Sequence, residues 1–285
     1  MTTITPLLQL RDVTRKFGGL IAVNRLDMEV AAGTIHGLIG PNGAGKSTAF
    51  DLISGLTPVT GGTLHLDGRD ITRHRVEDRV RAGICRTFQT PRLFEKMTAH
   101  EVVMTGRHLL GTTGILGSMF SVMRKHRDEI AIAESALALL DFVGLRHEAD
   151  DLVANMSYGK RRLVEIARAL ATAPRLLLLD EVASGLNPVE TQVVADIIRR
   201  LRDQGITIVL VEHDMRFVMN LCSTITVLNF GQKIADGGPG EIASNQQVIE
   251  AYLGHPRQAG ESRRAQRHRM ESPQNDAINR KESRI

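Results

Sequence analysis

The 285-residue sequence has no tryptophan, two tyrosines and two cysteines, and nowhere do its apolar residues run on long enough to cross a bilayer. A spanning helix needs about 20 such residues in succession. The stretch nearest to that, Leu109 to Val122, is short, broken by glycines and bracketed by Arg107 and Arg124. A protein that is soluble, or peripheral to a membrane, is expected. Met1 to Pro6 has neither the basic start nor the apolar centre of a secretory signal, so no export is expected. Cys85 and Cys222 fit no metal-binding spacing and read as reduced core residues of a cytosolic protein. There is no internal repeat.

The net charge of +4 suggests a nucleic-acid partner until it is located. From His255 onward eight Arg or Lys face four acids, so the whole excess lies in the tail and the body is neutral. A neutral body argues against a nucleic-acid groove, and no specific nucleic acid is expected. Residues 255–285 have few aliphatic side chains and many Gln, Ser and Arg, and read as a disordered, solvated basic tail.

The chain is long enough for one large α/β domain with a sizeable insertion. Its most informative stretch is Gly40-Pro41-Asn42-Gly43-Ala44-Gly45-Lys46-Ser47, which fits G-x-x-x-x-G-K-[ST]. The flanks fit as well, with Ile35 to Ile39 as a buried strand and Lys46 to Ile53 as a helix. Glycines let the backbone turn so that N–H groups converge on phosphate oxygens at the positive end of the helix. Residues 40–48, through Thr48, are therefore expected to hold a nucleotide, with Lys46 at the outer phosphates and Ser47 on Mg²⁺. A chance glycine-rich turn would have to match all eight positions and both flanks.

Leu176-Leu177-Leu178-Leu179-Asp180-Glu181 reads as a strand buried on both faces of a parallel sheet, with acids at its carboxyl end. Asp180 is expected beside Mg²⁺ through water, and Glu181 is the candidate general base for an attacking water. Alternating runs at Leu7–Val13 and Ile21–Val30 suggest an antiparallel pair, and Thr63–Asp67 a further strand. Helical character follows from Thr87 to Asn155. Arg127–Phe142 there places Ile130, Ala133, Leu137 and Leu140 on one face and stops at Gly144. The core resumes with Leu176–Asp180, Thr207–Glu212 and Thr224–Leu228. Ser157-Tyr158-Gly159 precedes an amphipathic helix (Leu163, Val164, Ile166, Ala167, Leu170), so Ser157 reads as its N-cap. Either an ordinary cap or a second anion-binding terminus would look like this.

Met156-Ser157-Tyr158-Gly159-Lys160-Arg161-Arg162 closely resembles the signature of ATP-binding cassette proteins. The other cassette motifs follow in order. Arg86-Thr87-Phe88-Gln89 looks like the Q-loop, Ser184-Gly185-Leu186-Asn187-Pro188 like the D-loop, and Val211-Glu212-His213-Asp214 like the switch-histidine region. Phe17 stands where the family stacks an aromatic ring on adenine. The resemblance spans residues 7–254. It implies an α/β P-loop NTPase cassette with a mainly parallel core sheet, an N-terminal antiparallel β subdomain and an inserted α-helical subdomain. Residues 1–86 and 156–254 would form the nucleotide-binding core, and 87–155 the insertion.

The same resemblance implies head-to-tail dimers, with itself or a related ATPase, that clamp ATP and Mg²⁺ between two chains. Ser157, Tyr158 and Gly159 of one chain would meet the nucleotide on the other. His213 would contact the γ-phosphate and align Glu181, and Gln89 would touch Mg²⁺ and the water. The chain departs from the common pattern at Asn187, Val182 and Lys160, where aspartate, proline and glutamine are usual. Cys85–Thr98, Ala183–Pro188 and Val248–Gly254 are similar to the ATPases of bacterial branched-chain amino acid importers, including urea and amide relatives. Such a subunit would lie on the cytoplasmic side of the inner membrane with two permeases and, indirectly, an extracytoplasmic solute-binding protein. A lipopolysaccharide-type export ATPase is the alternative, and a soluble nucleic-acid-associated cassette the least favoured reading.

Overall fold

The computed structural model describes residues 6–87, 93–108 and 122–253. The tail from residue 255, most of Leu109–Val122 and the Phe88–Gln89 pair lie outside them. The chain opens with a hairpin, β1 (Pro6–Phe17) and β2 (Leu20–Ala31), joined by Gly18-Gly19. The pair is antiparallel, with Phe17 opposite Leu20 at its tip. With β4 (Gly61–Leu66) and β5 (Arg69–Asp70) it forms a sheet in the order β2-β1-β4-β5. Both hairpin strands are longer than their apolar alternation predicts, because β-bulges keep the pairing going where the alternation breaks.

The second sheet has the order β10-β9-β3-β8-β7-β6. Its members are β3 (Ile35–Ile39), β6 (Ile84–Arg86), β7 (Leu176–Asp180), β8 (Thr207–Val211), β9 (Thr224–Asn229) and β10 (Gln232–Gly237). All its pairs are parallel except β9 with β10. The leucine run explains itself here, since successive side chains of β7 enter opposite cores. Leu177 and Leu179 join Ile208, Leu210 and Val164 on one face, while Leu176 and Leu178 join Val209, Phe50 and Leu8 on the other. Full burial of each such side chain stabilises the fold by about 1.5–3 kcal/mol. His36 is a buried exception on β3. Burial pushes its imidazole down to about 4, and its Nε2 lies 2.8 Å from Thr226 Oγ1.

Helix α1 (Lys46–Ser54) follows β3, and α2 (Val76–Arg81) precedes β6. Then come α3 (Ala99–His108), α4 (Val122–Phe142), α5 (Tyr158–Leu170), α6 (Pro188–Asp203), α7 (Met215–Leu221), α8 (Pro239–Ser244) and α9 (Gln246–Leu253). The apolar stripe predicted for α4 holds only in its second half. Leu140 and Ala136 are buried, whereas Ile130 is 46 % exposed. The reason is length: α4 has 21 residues and its neighbours α3 and α5 have 10 and 13, so its first half outruns the surface it packs on. Among the described residues no helix is long and apolar enough to cross a membrane.

One buried cation holds the end of α1. Arg79 Nη1 donates to the Ile53 carbonyl at 2.7 Å and to that of Leu52, Nη2 donates to Thr72 O and Nε to His74 O. The Leu52 and Ile53 carbonyls, in the last turn of α1, have no helical partners of their own, and a cation at the C-terminal end also meets the negative pole of the helix. Burial lowers the guanidinium to about 10, still charged at neutral pH. Arg79→Met, which keeps the stem and removes every donor, is expected to lower unfolding stability by about 3 kcal/mol. A urea midpoint equal to that of the wild type would contradict this account of α1.

Candidate active site

The sheet order brings four strand ends side by side: β3 running into residue 40, β8 into Glu212 and His213, β7 into Glu181, and β6 into Thr87. From the end of β3 the chain turns through Gly40–Gly45 into α1. Gly45, at φ 103°, is the N-cap of that helix, and a Cβ there would stand 2.5 Å from the Ala22 carbonyl. Among the described residues no side chain caps α1, so its first amides face outward as an anion site requires. The Lys46 ammonium folds back onto the loop and donates to Gly40 O at 2.6 Å and Pro41 O at 3.0 Å. Burial pulls it below the ordinary lysine value, against the upward pull of Glu181 and Asp180.

On the neighbouring strands Asp180 pairs in register with Val211, and the Glu181 amide donates to the Val211 carbonyl at 2.9 Å. Glu181 itself sits at φ 49°, a left-handed conformation that turns its side chain out of the sheet. Its Oε1 lies 2.5 Å from His213 Nε2. Asp180 is engaged differently. Arg86 Nη2 donates to its Oδ2 at 2.8 Å, and the same guanidinium donates through Nη1 to Asp51 Oδ1 at 2.5 Å.

A cavity of about 500 Å³ joins these pieces. Asn42 to Thr48 form its floor, and Glu181, His213, the hairpin-tip residues Phe17, Leu20, Ile21 and Ala22, and Phe230 complete the lining. Phe17 is half exposed, with Arg15 Cζ 4.4 Å from its ring centroid. Asp180 and the signature residues 157–159 do not line this cavity. Ser157 is the N-cap of α5, accepting from the Lys160 amide at 3.3 Å, and Tyr158 packs against Gly185. Gln89 lies outside the described residues. A volume of this size suits a small organic ligand, and the floor of amides with one ammonium suits its phosphates. For a hard cation the Ser47 hydroxyl is an oxygen donor in the cavity lining, while Asp180, outside that lining and with its Oδ2 accepting from the Arg86 guanidinium, would act through water. Such a set fits a Mg²⁺ that keeps most of its own waters.

The ABC transporter family profile matches residues 23–184, and the profile described as a branched-chain amino acid ATP-binding cassette transporter matches residues 232–257. The chain belongs to the ABC transporter family. It is 41 % identical over 250 residues to the high-affinity branched-chain amino acid transport ATP-binding protein BraF of Pseudomonas aeruginosa, covering 87 % of this chain and 98 % of that one. It is 39 % identical, with the same coverage, to LivG of Escherichia coli, which carries the same description. The lipopolysaccharide export system ATP-binding protein LptB of Acidithiobacillus ferridurans is 34 % identical over 88 % of this chain and 98 % of its own. Among solved structures, a nucleotide-free ATP-binding cassette from an ABC transporter superposes with a TM-score of 0.77 at 31 % identity, covering 88 % of this chain and all of that one. An ABC cassette in its ADP conformation gives 0.77 at 30 %, covering 88 % of this chain and 99 % of that one. The chain is thus a nucleotide-binding, ATP-hydrolysing transport subunit.

Within this cassette several site residues escaped sequence reasoning. Arg86 was legible only as the start of its motif, and Asp51 gave no signal. Arg162 and Glu165, almost fully buried and 2.8 Å apart, stand three residues apart on α5, the spacing of a helical ion pair. Arg162 also donates to Tyr158 Oη at 3.0 Å and to the backbone oxygen of Glu181 at 3.4 Å, so the signature helix is tied to the turn that carries Glu181. The three departures also find partners. Asn187 caps α6 through the Val189 and Glu190 amides, Val182 is buried in the core, and Lys160 pairs with Glu148 at 2.8 Å.

Glu212 is a buried acid between His213 and the loop after β7, its Oε1 accepting from the Ala183 amide at 2.8 Å. Burial raises its carboxyl from 4.5 to about 7. The folded state therefore binds a proton that the unfolded chain releases near 4.5, and stability falls as pH rises from about 4.5 through about 7. Glu212→Gln keeps the acceptor and lacks the charge. Its stability relative to the wild type is expected to climb by up to about 3 kcal/mol across that window. Parallel urea-midpoint profiles against pH would contradict it.

Proposed function

We propose that this cassette is the ATP-hydrolysing subunit of an importer for branched-chain amino acids or a related small polar solute. The reading is carried by one observation: Lys46, at the start of the helix that follows β3, and Glu181 and His213, just past the ends of the neighbouring strands β7 and β8, line a single cavity with the P-loop. In this reading ATP is the substrate, with Phe17 against adenine and residues 40–48 around the phosphates. Water attacks the γ-phosphorus, its proton passes to Glu181, and the bond to the β-phosphate oxygen breaks to release ADP and phosphate. His213 holds Glu181 in place, and Lys46 takes up charge on the departing oxygens. Bound Mg²⁺, held by Ser47, by Asp180 through water and by Gln89, would supply further charge neutralisation.

Ser157, Tyr158 and Gly159 lie away from the Lys46 cavity of their own chain, which supports a head-to-tail dimer in which they serve the nucleotide of a second cassette. Residues 87–155 would form the helical subdomain that meets the permeases. A groove of about 390 Å³ lined by Leu56, Val80, Phe94 and Thr105 runs beside Arg86, three residues before Gln89, and suits a permease segment there. The chain would then be peripheral, on the cytoplasmic face of the membrane, with an extracytoplasmic binding protein presenting the solute. The profile match at residues 232–257 and the higher identity to BraF than to LptB favour import over lipopolysaccharide-type export.

Glu181→Gln is expected to bind ATP while hydrolysing it about 10²- to 10⁴-fold more slowly, because the water loses its base and the phosphate grip remains. Lys46→Ala is expected to lose binding or turnover altogether. Ordinary turnover in either variant would remove that residue from the mechanism. Mild detergent extraction followed by mass spectrometry of proteins retained by this chain tests the partners. Two multi-span permeases and a second cassette are expected, and a single exporter-type membrane protein would contradict import.

A further inference from the structure

The turn between β9 and β10 presents an aromatic ring that the mechanism leaves without a task. Phe230 is 84 % exposed, and its φ of 46° is one that bulky residues rarely adopt and that glycine or asparagine would take without strain. The turn is pinned on both sides. The Gly231 amide donates to Ala44 O of the P-loop at 2.9 Å, and the Asn24 amide of β2 donates to Gly231 O at 2.8 Å. Phe230 is thereby held in the lining of the same cavity as the P-loop residues 42–48 and the apolar tip Phe17, Leu20, Ile21.

We propose that Phe230 is a second aromatic contact for the nucleotide base, acting beside Phe17 and adding base affinity to the phosphate grip of residues 40–48. A lone exposed phenylalanine is unremarkable on most surfaces. This one occupies a disfavoured backbone conformation, precedes a glycine whose amide is hydrogen-bonded to the P-loop, and lines the nucleotide cavity. A flat ring in water at that place gains most from a flat, stackable ligand, and the base is that part of ATP. The proposal rests on the cavity being the ATP site.

The test uses the full chain with Mg-ATP and Mg-tripolyphosphate, which share the triphosphate and differ in the adenosine that carries the base. Phe230→Ala is expected to weaken ATP about five- to a hundredfold, the range of base–aromatic stacking, while tripolyphosphate binding stays unchanged. Equal weakening of both ligands would make the effect one of loop position and overturn the proposal. Unchanged ATP affinity would overturn it too, including the case in which ATP-dependent dimerisation alone is lost, which would give the ring to a partner chain. Because the sequence has no tryptophan, Phe230→Trp adds a sole indole whose emission is expected to change with ATP and not with tripolyphosphate. Lys46→Ala separates the two readings. If it binds both ligands as the wild type does, the phosphate-site reading fails, whereas normal Lys46 dependence with a silent Phe230→Ala removes only this proposal.

Discussion

Glu181 and His213 stand 2.5 Å apart although 32 residues separate them, because β7 and β8 are parallel neighbours that end at the same edge of the sheet. Everything else at the site follows from that edge. β3 delivers the glycine-rich turn next to β8, and β6 delivers Arg86 next to β7. Parallel pairing needs both faces covered, and the two apolar clusters on either side of the sheet supply this cover. The leucines of β7 therefore carry no chemistry themselves, yet they fix where Asp180 and Glu181 emerge.

Most of the fold was legible because its strands are short, continuous apolar runs punctuated by glycines or acids. Ile35–Ile39, Leu176–Asp180 and Thr224–Leu228 lie within the observed strands. The N-cap role of Ser157 was legible for a similar reason, since capping is local. The exposed Ile130 was not, because amphipathic periodicity says which residues share a face and nothing about how far the partner surface extends.

Long-range charge pairing was the least legible part. Arg86 and Asp180 are 94 residues apart in sequence, and Asp51 joins them only because α1 lies over the same sheet edge. A buried guanidinium between two carboxylates has no local pattern to betray it. Asn187 illustrates the converse. It stands where aspartate is usual, and its side chain is engaged in holding two amides at the start of α6, a task that asparagine performs as well as aspartate.

In the proposed head-to-tail dimer, the signature helix would link hydrolysis on one chain to a second chain. Arg162 bonds Glu165, Tyr158 and the Glu181 backbone, so one buried side chain joins α5 directly to the Glu181 turn. The most direct test of the account as a whole is solute uptake into proteoliposomes made with the complex that co-purifies with this chain, with ATP enclosed or supplied on the cassette side. Accumulation of a branched-chain amino acid or related small solute that depends on ATP hydrolysis and on the binding protein is expected. Steady ATP hydrolysis with no solute movement, or ATP-driven extraction of lipid in its place, would contradict it.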